Sequence, residues 1–160
     1  MRSFILSFTI LTTALLGACS AADTNELEES ARQTLSNGDI REETTSVEEL
    51  PSFLVGKNED MQQLYTVAAQ HEELLEHIPC YCGCGQSANH KDNYDCFVHQ
   101  YNEDGSLVWD DHGTKCQVCL DIAAESINMS REGKTIKEIR IYIDEKYKDG
   151  YAEPTPTPNV

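Results

Sequence analysis

Basic residues are scarce in this chain. Among 160 residues there are 12 Lys+Arg against 28 Asp+Glu, a formal charge of −16. Nucleic acid and anionic lipid surfaces carry the same sign, so charge excludes both as expected partners. Long apolar runs are also missing. The most apolar stretch, Phe4 to Leu16, is about 13 residues, too short for a helix crossing a hydrocarbon core roughly 30 Å thick. No glycine-rich phosphate loop, Ser-His-Asp set or paired-carboxylate arrangement is visible, so kinase and hydrolase chemistry find no footing. No internal repeat is present, and the length suits one domain with tails.

Cysteine, by contrast, is abundant. There are seven, an odd number, and in a chain of this size their spacing carries the argument. Met1 to Ala18 has a basic residue, Arg2, then the short apolar stretch, as a secretory signal does. It ends in Leu16-Gly17-Ala18-Cys19, which resembles the bacterial lipobox, where a small residue precedes a thiol that receives a diacylglyceryl group. The alternative is a plain signal peptide with an accidental cysteine. The expectation is therefore a signal peptide over residues 1–18 and a lipid anchor at Cys19. The mature protein would then sit on the extracytoplasmic face of the cell membrane with six cysteines left.

Residues 19–58 are mostly acidic with apolar residues scattered singly, a composition read as a disordered tether. Phe53-Leu54-Val55 is the exception and a candidate to dock on the adjacent domain. The Cys-rich domain is placed at residues 59–151 and a Thr/Pro tail, not expected to pack, at 152–160. Met61, Leu64, Tyr65, Ala68, His71, Leu74, Leu75 and Ile78 recur at helical spacing up to Pro79. A second helix is predicted from near Lys115 to Gly133. A third opens on the capping-box pattern Thr135-Ile136-Lys137-Glu138 and carries Ile136, Ile139, Ile143 and Tyr147 on one stripe. Asp104-Gly105 between two short apolar segments predicts a hairpin. The fold class expected is mainly α: a small three-helix domain with a Cys-rich loop or short hairpin insertion, flanked by tether and tail. So small a core commonly needs help from metal or disulfides.

The chemistry concentrates in Pro79-Cys80-Tyr81-Cys82-Gly83-Cys84-Gly85, followed by Cys96 and Cys116-Gln117-Val118-Cys119. Neighbouring C-x-C thiols close a disulfide with each other poorly, and suit a shared soft cation or separate partners. Cys116 and Cys119 fall at a helix N-terminus, where the helix dipole favours thiolate. Leu120 follows Cys119 where covalent haem attachment would need His. The expected ligands are Cys80, Cys82, Cys84, Cys96, Cys116 and Cys119, with His90, His99 and His112 as further candidates, for copper(I) or zinc. His71 and His77 are read as packing or surface residues. Asp92, Asp95, Asp110 and Asp111 are read as caps, turns or solvated surface. Two alternatives stay open: a thiol–disulfide oxidoreductase exchanging through Cys116 and Cys119, and a disulfide-stapled interaction domain without chemistry. The protein partner stays unassigned.

Cys19 in its lipobox, the heptapeptide from Pro79 to Gly85, Asp95-Cys96-Phe97, Trp109-Asp110-x-His112-Gly113 and Cys116-x-x-Cys119 together resemble the PCYCGC-motif lipoproteins of Bacillus-like bacteria. A fainter likeness, through Cys80-x-Cys82-Gly83-Cys84-Gly85, Gly133-Lys134-Thr135-Ile136-x-Glu138-Ile139, Tyr147 and Pro154, is to the small helical thiol proteins of cytochrome c maturation. That second resemblance implies a three-helix unit and a thiol-reducing role. This chain departs from it in having six thiols instead of two and an apparent insertion from Gln86 to Trp109.

Overall fold

The computed structural model describes residues 31–160. Its order is β1 (Arg32–Thr34), β2 (Ile40–Thr44), α1 (Glu59–Ala69), α2 (Glu72–Leu75), α3 (Gly85–Ala88), β3 (Val98–Tyr101), β4 (Leu107–Asp110), α4 (Gln117–Arg131) and α5 (Ile136–Tyr147). Short 3-10 turns lie at Ser52–Leu54, Tyr94–Cys96 and Asp111–Lys115. The strands form one antiparallel sheet in the order β1-β2-β4-β3. The architecture is thus mixed α and β, which corrects the mainly-α, three-helix expectation.

The sheet arises from pairing between strands distant in the sequence. The hairpin predicted at Asp104-Gly105 forms, but it is no peripheral insertion. Its second strand, β4, is an interior strand of the sheet and pairs on its far side with β2, from the acidic segment read as a disordered tether. Composition argued that this segment could not bury a core of its own, and it does not need to. β2 adds to an existing strand, pairing Arg41 with Asp110 and Thr44 with Leu107, so the ladder satisfies its backbone groups. Side chains then lock the docking. Trp109 Nε1 donates to Thr44 Oγ1 at 2.7 Å, the Arg41 guanidinium meets buried Asp110 at 3.0 Å, and Ile40 N donates to Asp111 Oδ1 at 2.8 Å. Leu54 is fully buried, and Phe53 packs edge-on to Tyr65.

The helices follow the sequence more closely. Asn58 Oδ1 caps α1 by accepting from Met61 N. The single first helix predicted to run to Pro79 is instead broken at Gln70–His71. The His71 imidazole takes the Val67 carbonyl at 2.7 Å, and α2 restarts after it. α4 and α5 appear where expected, α5 with its capping box intact. One core joins both layers, with Trp109, Tyr65, Phe97, Leu75, Ile78, Ile122, Ile139 and Ile143 fully buried. The tail, expected to stay unpacked, is strapped onto the first cysteines. Thr155 N donates to Cys80 O at 3.0 Å, Thr155 Oγ1 accepts from Cys80 N at 2.8 Å, and Ala152 N donates to Tyr81 O at 3.2 Å. No helix among the described residues is long and apolar enough to cross a membrane.

Candidate metal centre

Three stretches converge on one end of α4. After α2, Pro79 delivers the chain into Cys80, held between the core and the tail. Gly83 turns at φ +78°, a conformation open to glycine at no steric cost, and this keeps Cys82 and Cys84 close together. β4 ends at Asp110, whose side chain accepts from His112 N at 3.0 Å and so starts the tight turn that carries His112. That turn hands the chain to Cys116, the N-cap residue of α4, and Cys119 follows within its first turn. Buried Asn93 fixes this end of the helix by donating to Cys119 O at 3.2 Å.

The result is two sets of metal-ligand atoms that share one sulfur. Cys82, His112, Cys116 and Cys119 bring three thiols and an imidazole nitrogen within 4.8 Å of one another. Cys80, Cys96 and Cys119 do the same with three thiols, all buried. Cys119 Sγ lies 3.2 Å from both Cys80 Sγ and Cys96 Sγ. That is far longer than the ~2.05 Å of a disulfide, and all six described cysteines are free. It is shorter than the S···S edge of about 3.8 Å set by tetrahedral zinc with bonds near 2.3 Å. An ion would therefore spread these sulfurs by about half an ångström.

The donor set fits a soft cation on chemical grounds. His112 Nδ1 contacts the Asp39 carboxylate at 3.0 Å, while its buried Nε2 has no hydrogen-bond partner. A histidine donating through one nitrogen to a carboxylate, with the other free beside thiols, is the second-sphere arrangement that orients metal-ligating imidazoles. Asp39 is in turn held by Asn37 Nδ2 at 2.7 Å and the Lys115 ammonium at 3.2 Å.

Electrostatics separates the sulfurs. The neighbouring Cys116 and Cys119, with a smaller share from nearby His112, outweigh Cys80 and burial, and the Cys82 thiol is drawn down to about 4. His112 is raised to about 8, first by Cys82 and then, against burial, by Asp39. Cys119 is pushed far up, first by its contact with Cys116 and then by Cys80, Cys82, Cys96 and burial. Cys96 is lowered by the same contacts, Cys119 first. Cys84 is raised to about 11, by burial and then by the charge of Cys82. Burial opposes protonation of His90, but Asp110 prevails and raises it.

Of the sequence candidates, Cys80, Cys82, Cys96, Cys116, Cys119 and His112 are brought together. Cys84 stands outside both ligand sets, half-buried, with Sγ 3.9 Å from Cys82 O. His99 is exposed at an irregularity in the β3–β4 register, its Nε2 3.1 Å from an Arg41 nitrogen. His90 is buried beside the cluster, with Nδ1 3.6 Å from Cys96 Sγ and Nε2 3.8 Å from Asp110 Oδ2. Its ring meets that of His112 edge-on, centroids 4.8 Å apart. Cys19 lies outside the described residues. Asp110 is the cap that the sequence reading expected, accepting from His112 N, and it also lies beside His90 and Arg41; Asp39, the partner of His112, lies inside the supposed tether and escapes that reading. Only the Asx-turn pattern Asn37-Gly38-Asp39 hinted that Asp39 was ordered.

A family model described as a protein of unknown function with PCYCGC motif matches residues 8–160, and the chain belongs to that family. No curated protein and no solved structure shows significant similarity to the chain. The family match carries nothing of the fainter likeness to cytochrome c maturation proteins.

Proposed function

We propose that this protein is a lipoprotein, anchored through Cys19 to the extracytoplasmic face of the cell membrane, that holds a soft metal ion through Cys82, His112, Cys116 and Cys119. The observation that carries the reading is His112, whose Nδ1 is committed to Asp39 and whose buried, unpartnered Nε2 belongs to a residue grouped with three thiols. Four donors of this kind close a tetrahedral site and leave no open coordination position for substrate, so the ion serves structure, storage or delivery. Three thiolates and a neutral imidazole leave one net negative charge around a divalent ion and two around a monovalent one. A buried site favours the smaller imbalance, and hence zinc over copper(I).

Cys82 and Cys116 are only partly buried, which gives an incoming ion or chelator a route to the centre. The anchor would keep that exchange close to the membrane.

The test is to purify the full chain without oxygen, measure bound metal per chain and count reactive thiols before and after chelation. Retained zinc, with thiols that become reactive only after chelation, is the expected result. A full complement of reactive thiols with no ion retained would overturn the reading. Stable oxidation resisting glutathione would point instead to a stapled domain, and dithiol turnover lost in Cys119→Ser to an oxidoreductase. Release of labelled lipid with the intact chain, abolished by Cys19→Ala, tests the anchor separately.

A further inference from the structure

We infer that the centre is binuclear: a second soft cation binds Cys80, Cys96 and Cys119, and the Cys119 thiolate bridges the two ions. This rests on the four-donor site proposed above and extends it to residues that site does not use. Cys119 belongs to both sets of ligand atoms. Its sulfur touches Cys80 and Cys96 at 3.2 Å each on the inner side, while the outer set, Cys82, His112 and Cys116, surrounds the same sulfur. A thiolate has lone pairs enough for two metals.

The inner three sulfurs are almost completely buried: Cys80 is 1% exposed, and Cys96 and Cys119 are 0%. Buried cysteines are common as small apolar residues, but apolar packing does not require three thiols in mutual contact beside two histidines and a carboxylate. His90 supplies polar surroundings on that side, with Nδ1 3.6 Å from Cys96 Sγ and Nε2 toward Asp110. An open cleft of about 400 Å³, lined in part by Gly83, Gly85, His90 and Thr155, reaches this imidazole from solvent.

Charge selects the class of ion. Five thiolates around two divalent cations leave one net negative charge, and around two monovalent cations they leave three. A pair of thiophilic divalent ions is therefore the better occupant of so buried a pocket. Binding displaces the protons that the cluster's thiols and imidazole carry into solvent, so loading acidifies an unbuffered solution. The two ions differ in access. The outer one is bound by two partly exposed sulfurs, whereas the inner one is enclosed by buried sulfurs only, so the outer ion leaves first.

Cadmium(II) is the probe. The full chain, reduced and loaded anaerobically, is expected to take up two cadmium ions. These should give two 113Cd resonances split by mutual coupling through the shared sulfur, and a chelator should remove them in one fast and one slow phase. Cys96→Ser should reduce the content from two ions to one and leave the fast phase. Uptake of a single ion by both wild type and Cys96→Ser would overturn the binuclear centre while leaving the four-donor site standing. No uptake at all would sink both. Two resonances without coupling would overturn the bridge, a readout that depends on no variant folding.

Discussion

At the scale of single residues, the candidate site depends on groups that supply none of its ligand atoms. Asp39 accepts from His112 and is itself tied to Asn37 and Lys115. In Asp39→Asn, a neutral amide faces the imidazole and can reverse its tautomer, turning an N–H toward the thiols. Metal affinity should fall by roughly 10–100-fold in competition with a chromogenic chelator, with the far-ultraviolet circular dichroism unchanged. His112 was legible as a candidate because it stands in Trp109-Asp110-x-His112-Gly113. Asp39 was not, because it lies 73 residues away in a stretch whose composition reads as solvated. Gly113 shows the same dependence on distant contacts. A Cβ there would lie 2.8 Å from Tyr65 Oη and 3.0 Å from both Cys96 O and Phe97 Cε1. Tyr65 cannot swing away, since its hydroxyl donates to Asp110 O and accepts from Thr114 N in the core. Gly113→Ala should therefore cost about 1–3 kcal/mol, read as a lowered urea midpoint of the metal-free protein.

At the scale of elements, legibility followed how local the determinants are. α5 could be read complete, because its cap, stripe and terminator lie within a dozen or so neighbouring residues. Thr135 Oγ1 accepts from Glu138 N at 3.3 Å, and the Glu138 carboxylate accepts from Thr135 N at 2.9 Å. Thr135→Ala should cost about 1 kcal/mol at neutral pH. The backbone and hydroxyl of Thr135 hold the Glu138 carboxyl below its ordinary value. A carboxyl lowered in the folded state stabilises above its unfolded pKa, and that contribution disappears as pH falls through the folded one. The deficit of Thr135→Ala should accordingly shrink between pH 7 and pH 3, as urea midpoints of both proteins would reveal. The β4 hairpin was also legible, through Asp104-Gly105. β2 was not, because nothing inside Ile40–Thr44 announces that Trp109 and Asp110 will receive it. The packing of the tail is illegible for the same reason: Thr155 is ordered by Cys80, 75 residues away. The first helix ends short of the span its apolar spacing predicts, because spacing alone does not register the His71 imidazole competing for the Val67 carbonyl.

At the scale of the whole molecule, the candidate metal centre would act as a cross-link. Its ligands come from the loop after α2, the turn before β3, the turn after β4 and the start of α4. An ion therefore ties the sheet layer to the helical layer at one point. Because the thiols gather only in the folded chain, binding free energy feeds into folding. A site filled at a hundred times its dissociation constant should stabilise the domain by about 2.7 kcal/mol, or roughly 10 °C in midpoint for a domain of this size. Scanning calorimetry of the reduced protein with zinc and then with excess chelator reads this directly. The shift should grow with free zinc concentration and be abolished in Cys119→Ser, which removes the sulfur common to both ligand sets. It should survive, reduced, in Cys96→Ser, which leaves the outer four donors intact. A midpoint indifferent to zinc in the wild type would mean that the cluster packs as thiols alone. The gradation between the two serine variants decides how far stability rests on one ion or on a bridged pair.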